Sequence, residues 1–213
     1  DDGKANALSS ALLNELDQAL TRAQEEAKAV VLLGRPGRFS GGFDLKVMKS
    51  GPAAAQALVS QGAELLMRIY EFPLPFVAAC SGHAVAAGAL MLLASDTRIG
   101  IEGDFKIGLN EVAIGMTVPI LAQELARDRL APTHLTPAII QGTLYGPSDA
   151  VKVGYLDQVV APDALVATAI TTAAALGKLS NAYGATKARL RKTTIAHVRA
   201  TLAADLAEIT GPA

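Results

Sequence analysis

The chain has 213 residues, enough for one domain with a well-filled core, or one domain with a small appendage. Apolar residues make up 51% and charged residues 18%, which excludes a disordered chain. The net charge is −1 without a basic run, aromatics are 4% and Trp is absent, so neither phosphate neutralisation nor base stacking is supported and nucleic acid is not an expected partner.

In chain order, "DDGKANALSS" comes first; it has no Met, and an N-terminal strand is expected to be missing ahead of it. Leu8, Leu12, Leu13, Leu16 and Leu20 then recur at the spacing of one helical face, with Ser9 or Ser10 as N-cap. "AVVLLG" reads as a buried strand, and "PAAAQALVSQGAELLMRIYEFP" as a helix stopped by Pro73. "PFVAACSG" is a second buried strand closed by Gly82, "GALMLLAS" a buried helical run, "TRIGI" a short strand, and "KIGLNEVAIGM" loop and turn. From Pro119 the character becomes helical: "ILAQELARDRL", "THLTPAIIQG", "PSDAVKVG", "APDALVATAITTAAALGKL" and one or two helices over the last 30 residues, interrupted by the strand "LDQVV". Strand and helix in alternation imply parallel β-structure with crossover helices, an α/β class.

Composition restricts the chemistry further. Cys80 is the single cysteine and cannot form an internal disulfide, so a reducing compartment is expected. His83, His134 and His197 lack ligand-like spacing, so no metal is expected. No segment reaches roughly 18 uninterrupted apolar residues, so no membrane partner is expected either.

Three stretches combine glycine, polarity and loop character beyond what packing demands. In "FSGGFDL" the pair Gly41–Gly42 ends a strand region, and glycine pairs suit a backbone that bends unusually or is closely approached. In "SGHAVAAGALMLLASD" the small residues Ala84–Ala89 precede a buried helix whose first amides lack intrahelical partners. In "GLNEVAIGM" Glu111 stands alone among apolar neighbours. Two such turns can each aim one N–H at a developing oxyanion, and a carboxylate in an apolar setting has a raised pKa suited to proton shuttling. Together they suit proton abstraction next to a carbonyl. Each stretch also has a plain structural reading: a strand-ending turn, close helix–strand packing, and a solvated or capping glutamate. His83 reads as a packing or hydrogen-bonding residue, and Asp44 and Asp96 as turn anchors.

In order and spacing, these stretches resemble the crotonase (enoyl-CoA hydratase/isomerase) superfamily over essentially the whole chain. "KANALS" is similar to the stretch whose backbone wraps coenzyme A. "FSGGFDL" resembles the family's F-x-x-G-x-D-[IL] element, which would make the Phe43 amide the first oxyanion donor. "GHAVAAGALMLLASD" resembles the G-x-x-x-G-G-G element, which would make the Ala87 amide the second. "PSDAVKVGYLDQVV" resembles the A-x-x-x-G-[LI]-[VD] stretch that follows the family's core. The resemblance implies coenzyme A or acyl contacts at Lys4, Ala5, Ala7, Leu8, Gly41, Gly42, Asp44, Leu45, Gly88 and Leu90. It also implies a crotonase-like ββα spiral over 1–140 and a C-terminal helical trimerisation region over 141–213. Acyl-CoA is then the substrate, no cofactor is needed, and a homotrimer or dimer of trimers is expected; separately, the expected location is the bacterial cytoplasm, with a mitochondrial or peroxisomal one left open because the N-terminus is expected to be incomplete.

Family hydratases carry two glutamates that hold a water. One of those positions, three residues past the second donor, is Leu90 here; the other is Glu111. "IGLNEVAIGMTVP" resembles instead the mitochondrial-type Δ3,Δ2-enoyl-CoA isomerases, whose G-L-N-E element carries one catalytic glutamate. Isomerisation of 3-enoyl-CoA to 2-enoyl-CoA is therefore the expected activity. The alternatives are a hydratase using Glu102 or Asp104 as its second carboxylate, an acyl-CoA hydrolase, and a non-catalytic acyl-CoA binder.

Overall fold

The structure, a computed structural model, describes residues 3–208; the ends of the expected core and C-terminal region, 1–2 and 209–213, lie outside them. Helix α1 spans Ser10–Glu26, and Ser9 caps it by accepting the Leu12 amide at 3.3 Å. Leu13 and Leu20 face the core, with Leu12 and Leu16 packed beside it. Strand β1 is Val30–Leu33 and β2 is Gly37–Ser40; a short helix α2, Leu45–Met48, follows. Helix α3, Pro52–Glu71, ends where Phe72 turns extended before Pro73, as the residue ahead of a proline must.

Strands β3 (Phe76–Cys80) and β4 (Gly82–Val85) come next, then helix α4 (Ala87–Ala94) and strands β5 (Thr97–Ile101) and β6 (Ile107–Gly108). The remainder comprises α5 (Ile120–Arg129), α6 (Pro147–Val153), β7 (Gln158–Val160), α7 (Leu165–Leu176) and α8 (Ala182–Ala207). The stretch expected as a helix around "THLTPAIIQG" is instead a 3-10 turn, Pro132–His134, and a π turn, Thr136–Ile140. Pro132 and Pro137 lack the amides that a continuous α-helix there would need.

All strand pairs within the two sheets are parallel. β1-β3-β5-β7 form one sheet and β2-β4-β6 the other, so successive strands alternate between sheets and the chain winds as a spiral. Each turn gives one strand to each sheet, with α3 or α4 filling the space between turns. The alternation expected from the sequence is thus present. β2 and β4, not expected as strands of their own, make the second sheet. β7 lies beyond residue 140, yet it closes the first sheet against β5.

Strand β3 is buried on both faces, which explains its unbroken apolar run. Phe76, Ala78 and Cys80 enter the main core with α3 and α4; Val77 and Ala79 join Ile99 and Ile101 beneath Leu165, Ala169 and Ala173 of α7. Helix α8 is tied down by a buried cluster. Asp96 accepts the Phe76 amide at 2.9 Å and pairs with Lys187 at 2.7 Å and Arg191 at 2.9 Å. The Arg191 guanidinium also lies 4.2 Å over the Tyr70 ring. At its far end, the Leu206 carbonyl accepts Gln56 at 2.8 Å and Asp205 accepts the Ile120 amide at 2.7 Å. Those bonds seat Leu202 and Leu206 over a cavity.

Candidate active site

The cavity, about 170 Å³, is almost wholly apolar. Leu45 and Met48 of α2, Leu66 of α3, Leu90 of α4 and Leu121 of α5 contribute walls, and Leu202 and Leu206 of α8 close it. Glu111 is the only ionisable side chain among the described residues that line it.

The first wall is built from the segment 4–8, which bends through a left-handed Asn6, beside the 38–44 stretch. Gly41 donates to the Ala5 carbonyl at 2.9 Å, Leu8 to that of Gly42 at 2.8 Å, and Asp44 to that of Leu8 at 3.2 Å. In this parallel bridge the amide of Phe43 itself faces away from Leu8. The Phe43 ring lies against α3 at Gly62, where an added Cβ would fall 2.2 Å from the ring. That notch holds the backbone of residue 43 on the cavity wall. Asn6, which the sequence reading passed over, anchors the same segment. It adopts φ +49° and donates to the carbonyls of Arg38 and Phe39, both at 3.2 Å. A short amide side chain between small residues was its signal, since Asn tolerates the left-handed region.

The second wall is the start of α4. Ala86 has φ +52°, strained for a residue with a Cβ, at a cost of about 1–3 kcal/mol. Backbone bonds hold it there: its amide donates to Gly108 at 3.0 Å, and its carbonyl accepts Ala89 at 2.8 Å and Leu90 at 3.1 Å. The amides of Ala87 and Gly88, first in the helix, have no carbonyl behind them to bond within it. Gly42, at φ +89°, brings the two walls together; a Cβ there would sit 3.0 Å from the Ala86 Cβ and 3.4 Å from the Ala87 nitrogen.

Glu111 is held by its own backbone, its carbonyl accepting Ile114 at 3.0 Å and Met116 at 2.9 Å. Its side chain is 7% exposed and Oε2 has no hydrogen-bond partner from the protein. Burial pushes its pKa above the usual carboxylate range, opposed by its own amide and that of Asn110. Asn110, also on the lining and unflagged by the sequence reading, has a buried Oδ1 without a protein partner.

Of the residues singled out from sequence, Gly41, Phe43, Leu45, Leu90 and Glu111 line the cavity. Ala87 is buried and is not among the lining residues, although its neighbour Ala86 is. Gly42 and Gly88 sit in the packing instead, Gly88 where α4 touches the Ser40 backbone. Asp44 caps α2 by accepting the Lys46 amide at 2.8 Å, and Lys4 is exposed. Ala5, Ala7 and Leu8 belong to the supporting segment. Glu102 and Asp104 are exposed and outside the lining, which corrects the expectation that either could serve as a second carboxylate. His83 accepts the Lys106 amide at 3.0 Å and meets the Phe105 ring edge-on. Cys80 is buried, its thiol pushed up to about 12. No group of three or more potential metal ligands occurs among the described residues, and no described helix is long and apolar enough to cross a membrane.

Comparison with known proteins agrees with this fold. The sequence profile described as Enoyl-CoA hydratase/isomerase matches residues 1–210. The human protein named enoyl-CoA delta isomerase 1, mitochondrial, is 32% identical over 195 residues; the match takes in 89% of this chain and 65% of the human protein, just under two thirds. A crystal structure of an enoyl-CoA hydratase/isomerase family protein from Pseudomonas syringae superimposes with a TM-score of 0.95 at 42% identity, covering 98% of this chain and 91% of that one. An enoyl-CoA hydratase structure from Mycobacterium ulcerans gives 0.90 at 36% identity, covering 94% and 89%.

Proposed function

The chain belongs to the enoyl-CoA hydratase/isomerase family, and from that premise we propose that it isomerises 3-enoyl-CoA to 2-enoyl-CoA with Glu111 as its single proton shuttle. The observation that carries the reading is one buried carboxylate, its Oε2 without a protein partner, in an almost wholly apolar cavity, with Leu90 where a second carboxylate would hold water.

The thioester oxygen accepts hydrogen bonds from the amides of Phe43 and Ala87. A proton on C2, acidified by both the carbonyl and the C3–C4 alkene, passes to Glu111. The C2–H electron pair moves into a dienolate whose negative oxygen the two amides stabilise; losing one such donor typically costs roughly 3–4 kcal/mol. Glu111 then returns the proton to C4, the double bond settles between C2 and C3, and the carboxylate is regenerated. No cofactor takes part, since no electrons leave the substrate. Leu90 keeps water from the alkene, and the dry surroundings sustain the basicity of Glu111. The coenzyme A moiety runs along the backbone of residues 4–8 and the Asp44–Leu45 turn. Self-association, as a homotrimer or dimer of trimers, uses the C-terminal helices, where Ile170 is 57% and Leu190 83% exposed.

A hydratase reading has less support, because neither Glu102 nor Asp104 reaches the cavity lining. The test is Glu111→Gln. Acyl-CoA affinity should be nearly unchanged while turnover of 3-enoyl-CoA falls at least about a hundredfold, the lower range for general acid–base catalysis. A folded variant with wild-type turnover would end the proposal.

A further inference from the structure

Buried polar side-chain atoms are nearly always hydrogen-bonded, so those that are not call for a reason. Among the described residues five lack a protein hydrogen-bond partner. One of them, Asp96 Oδ1, faces the Arg191 guanidinium at 2.9 Å. The other four are Asn110 Oδ1, Glu111 Oε2 and the hydroxyls of Tyr145 and Tyr155.

These four come from neighbouring segments. Tyr145 is locked to Ile107 of β6 by two backbone hydrogen bonds of 2.9 Å, and Asn110 and Glu111 follow β6 directly. Tyr155, fully buried, follows α6, and its ring centroid lies 6.1 Å from that of Tyr145. The set is chemically complementary, with two hydroxyls that can donate and two oxygens, amide and carboxylate, that can only accept. A buried water typically serves about three such groups at once.

We infer that Tyr155 is a positioning residue for Glu111: its hydroxyl donates, through one bridging water, to the Glu111 carboxylate and holds that carboxylate in place as an anion. Burial and the nearby Glu111 charge both keep the Tyr155 hydroxyl protonated, against a pull from the Leu109 amide, so it is a donor across the working pH range. The surroundings leave few competitors. The cavity walls from α2, α3, α4, α5 and α8 bring no other titratable side chain to Glu111. Tyr155 and Tyr145 lie outside the cavity lining, the latter also kept protonated by burial, with Thr143 beside it. Neither tyrosine is among the residues lining the cavity, so a water held by their hydroxyls orients the base without serving as a nucleophile. The role rests on Glu111 being the working base, but the contact does not.

The experiment therefore titrates Glu111 itself, by carbon-13 NMR of side-chain carboxyls in the ligand-free full chain, with the Glu111 signal assigned by its loss in Glu111→Gln. Tyr155→Phe removes one donor to the anion and should raise the midpoint by about one pH unit. Tyr70→Phe, which deletes a hydroxyl bonded elsewhere to Asp128, should leave it unmoved. An unchanged midpoint in folded Tyr155→Phe overturns the inference. Should that variant not fold, 3,5-difluorotyrosine at position 155, a stronger donor of nearly the same shape, replaces it; the midpoint must then fall, and a constant value overturns the inference equally. Full isomerase activity in Glu111→Gln would sink the proposed function while leaving this titration readable.

Discussion

Gly42→Ala places one methyl group between the two amide-bearing walls, and the structure fixes what it must do. At φ +89° any L-residue carries a penalty of about 1–2 kcal/mol. The new Cβ would lie 3.0 Å from the Ala86 Cβ and 3.1 Å from the Val85 carbonyl oxygen, so something must give by a few tenths of an ångström. Ala86 is the stiffer side, held in its own left-handed conformation by a backbone hydrogen bond to the Gly108 carbonyl and by those its own carbonyl accepts from Ala89 and Leu90. The displacement therefore falls on the 42–43 peptide, which carries the Phe43 amide. Complete loss of that donor would cost roughly 3–4 kcal/mol of transition-state stabilisation, and each 1.4 kcal/mol is about tenfold in rate. A partial misalignment should lower kcat/KM for 3-enoyl-CoA by about ten- to a hundredfold, with a stability loss of about 1–3 kcal/mol by thermal unfolding. Gly41→Ala is the stability control, since its Cβ meets nothing closer than the Ala5 Cβ at 3.4 Å. If Gly42→Ala loses stability yet keeps full kcat/KM below its unfolding temperature, the Phe43 amide is not an oxyanion donor.

Phe43→Pro deletes the amide hydrogen and should cost about two orders of magnitude in kcat/KM. Phe43→Ala empties the notch at Gly62 and should act mainly on stability; circular dichroism and coenzyme A affinity separate the two effects, and equal catalytic losses would assign the role to the ring. Glu111 gives a pH test with a definite sign. Its folded pKa is raised, so the folded state binds its proton more tightly than the unfolded chain does. The associated stability is fully present below the ordinary carboxylate pKa and is lost as pH rises through the folded value. Glu111→Gln should therefore gain melting temperature relative to wild type on going from acidic to neutral pH, by calorimetry; a gap independent of pH would contradict a strained, ionised Glu111.

Much of this architecture is legible in the sequence because periodicity and burial coincide. The unbroken "FVAAC" run is a strand buried on both faces, and the leucine spacing of α1 marks its inner face. Asp44 and Asp96 are turn anchors, as their types suggest, and Asp96 additionally holds α8 through Lys187 and Arg191. β2 and β4 are not legible. "GRFS" and "GHAV" are four residues long with no alternation, and their register is set by partners across the sheet. The cavity walls from α8 are equally hidden, because Leu202 and Leu206 reach the site only after the Asp96 cluster, Gln56 and Asp205 have seated the helix. Glu111 stood out as a lone carboxylate among apolar neighbours. Asn110 and Tyr155 did not, since their significance lies in unpartnered atoms that appear only once segments far apart in sequence meet.

The most direct test of a single-base, dry active site is the ratio of two rates measured on one preparation of the unaltered protein: conversion of 3-enoyl-CoA to 2-enoyl-CoA, and hydration of 2-enoyl-CoA to the 3-hydroxy product. With Leu90 in the lining and Glu111 the only carboxylate among the described residues there, isomerisation should exceed hydration by at least about two orders of magnitude, the contribution of one missing general acid–base group. Equal rates would contradict the account and require a second water-holding residue in the cavity.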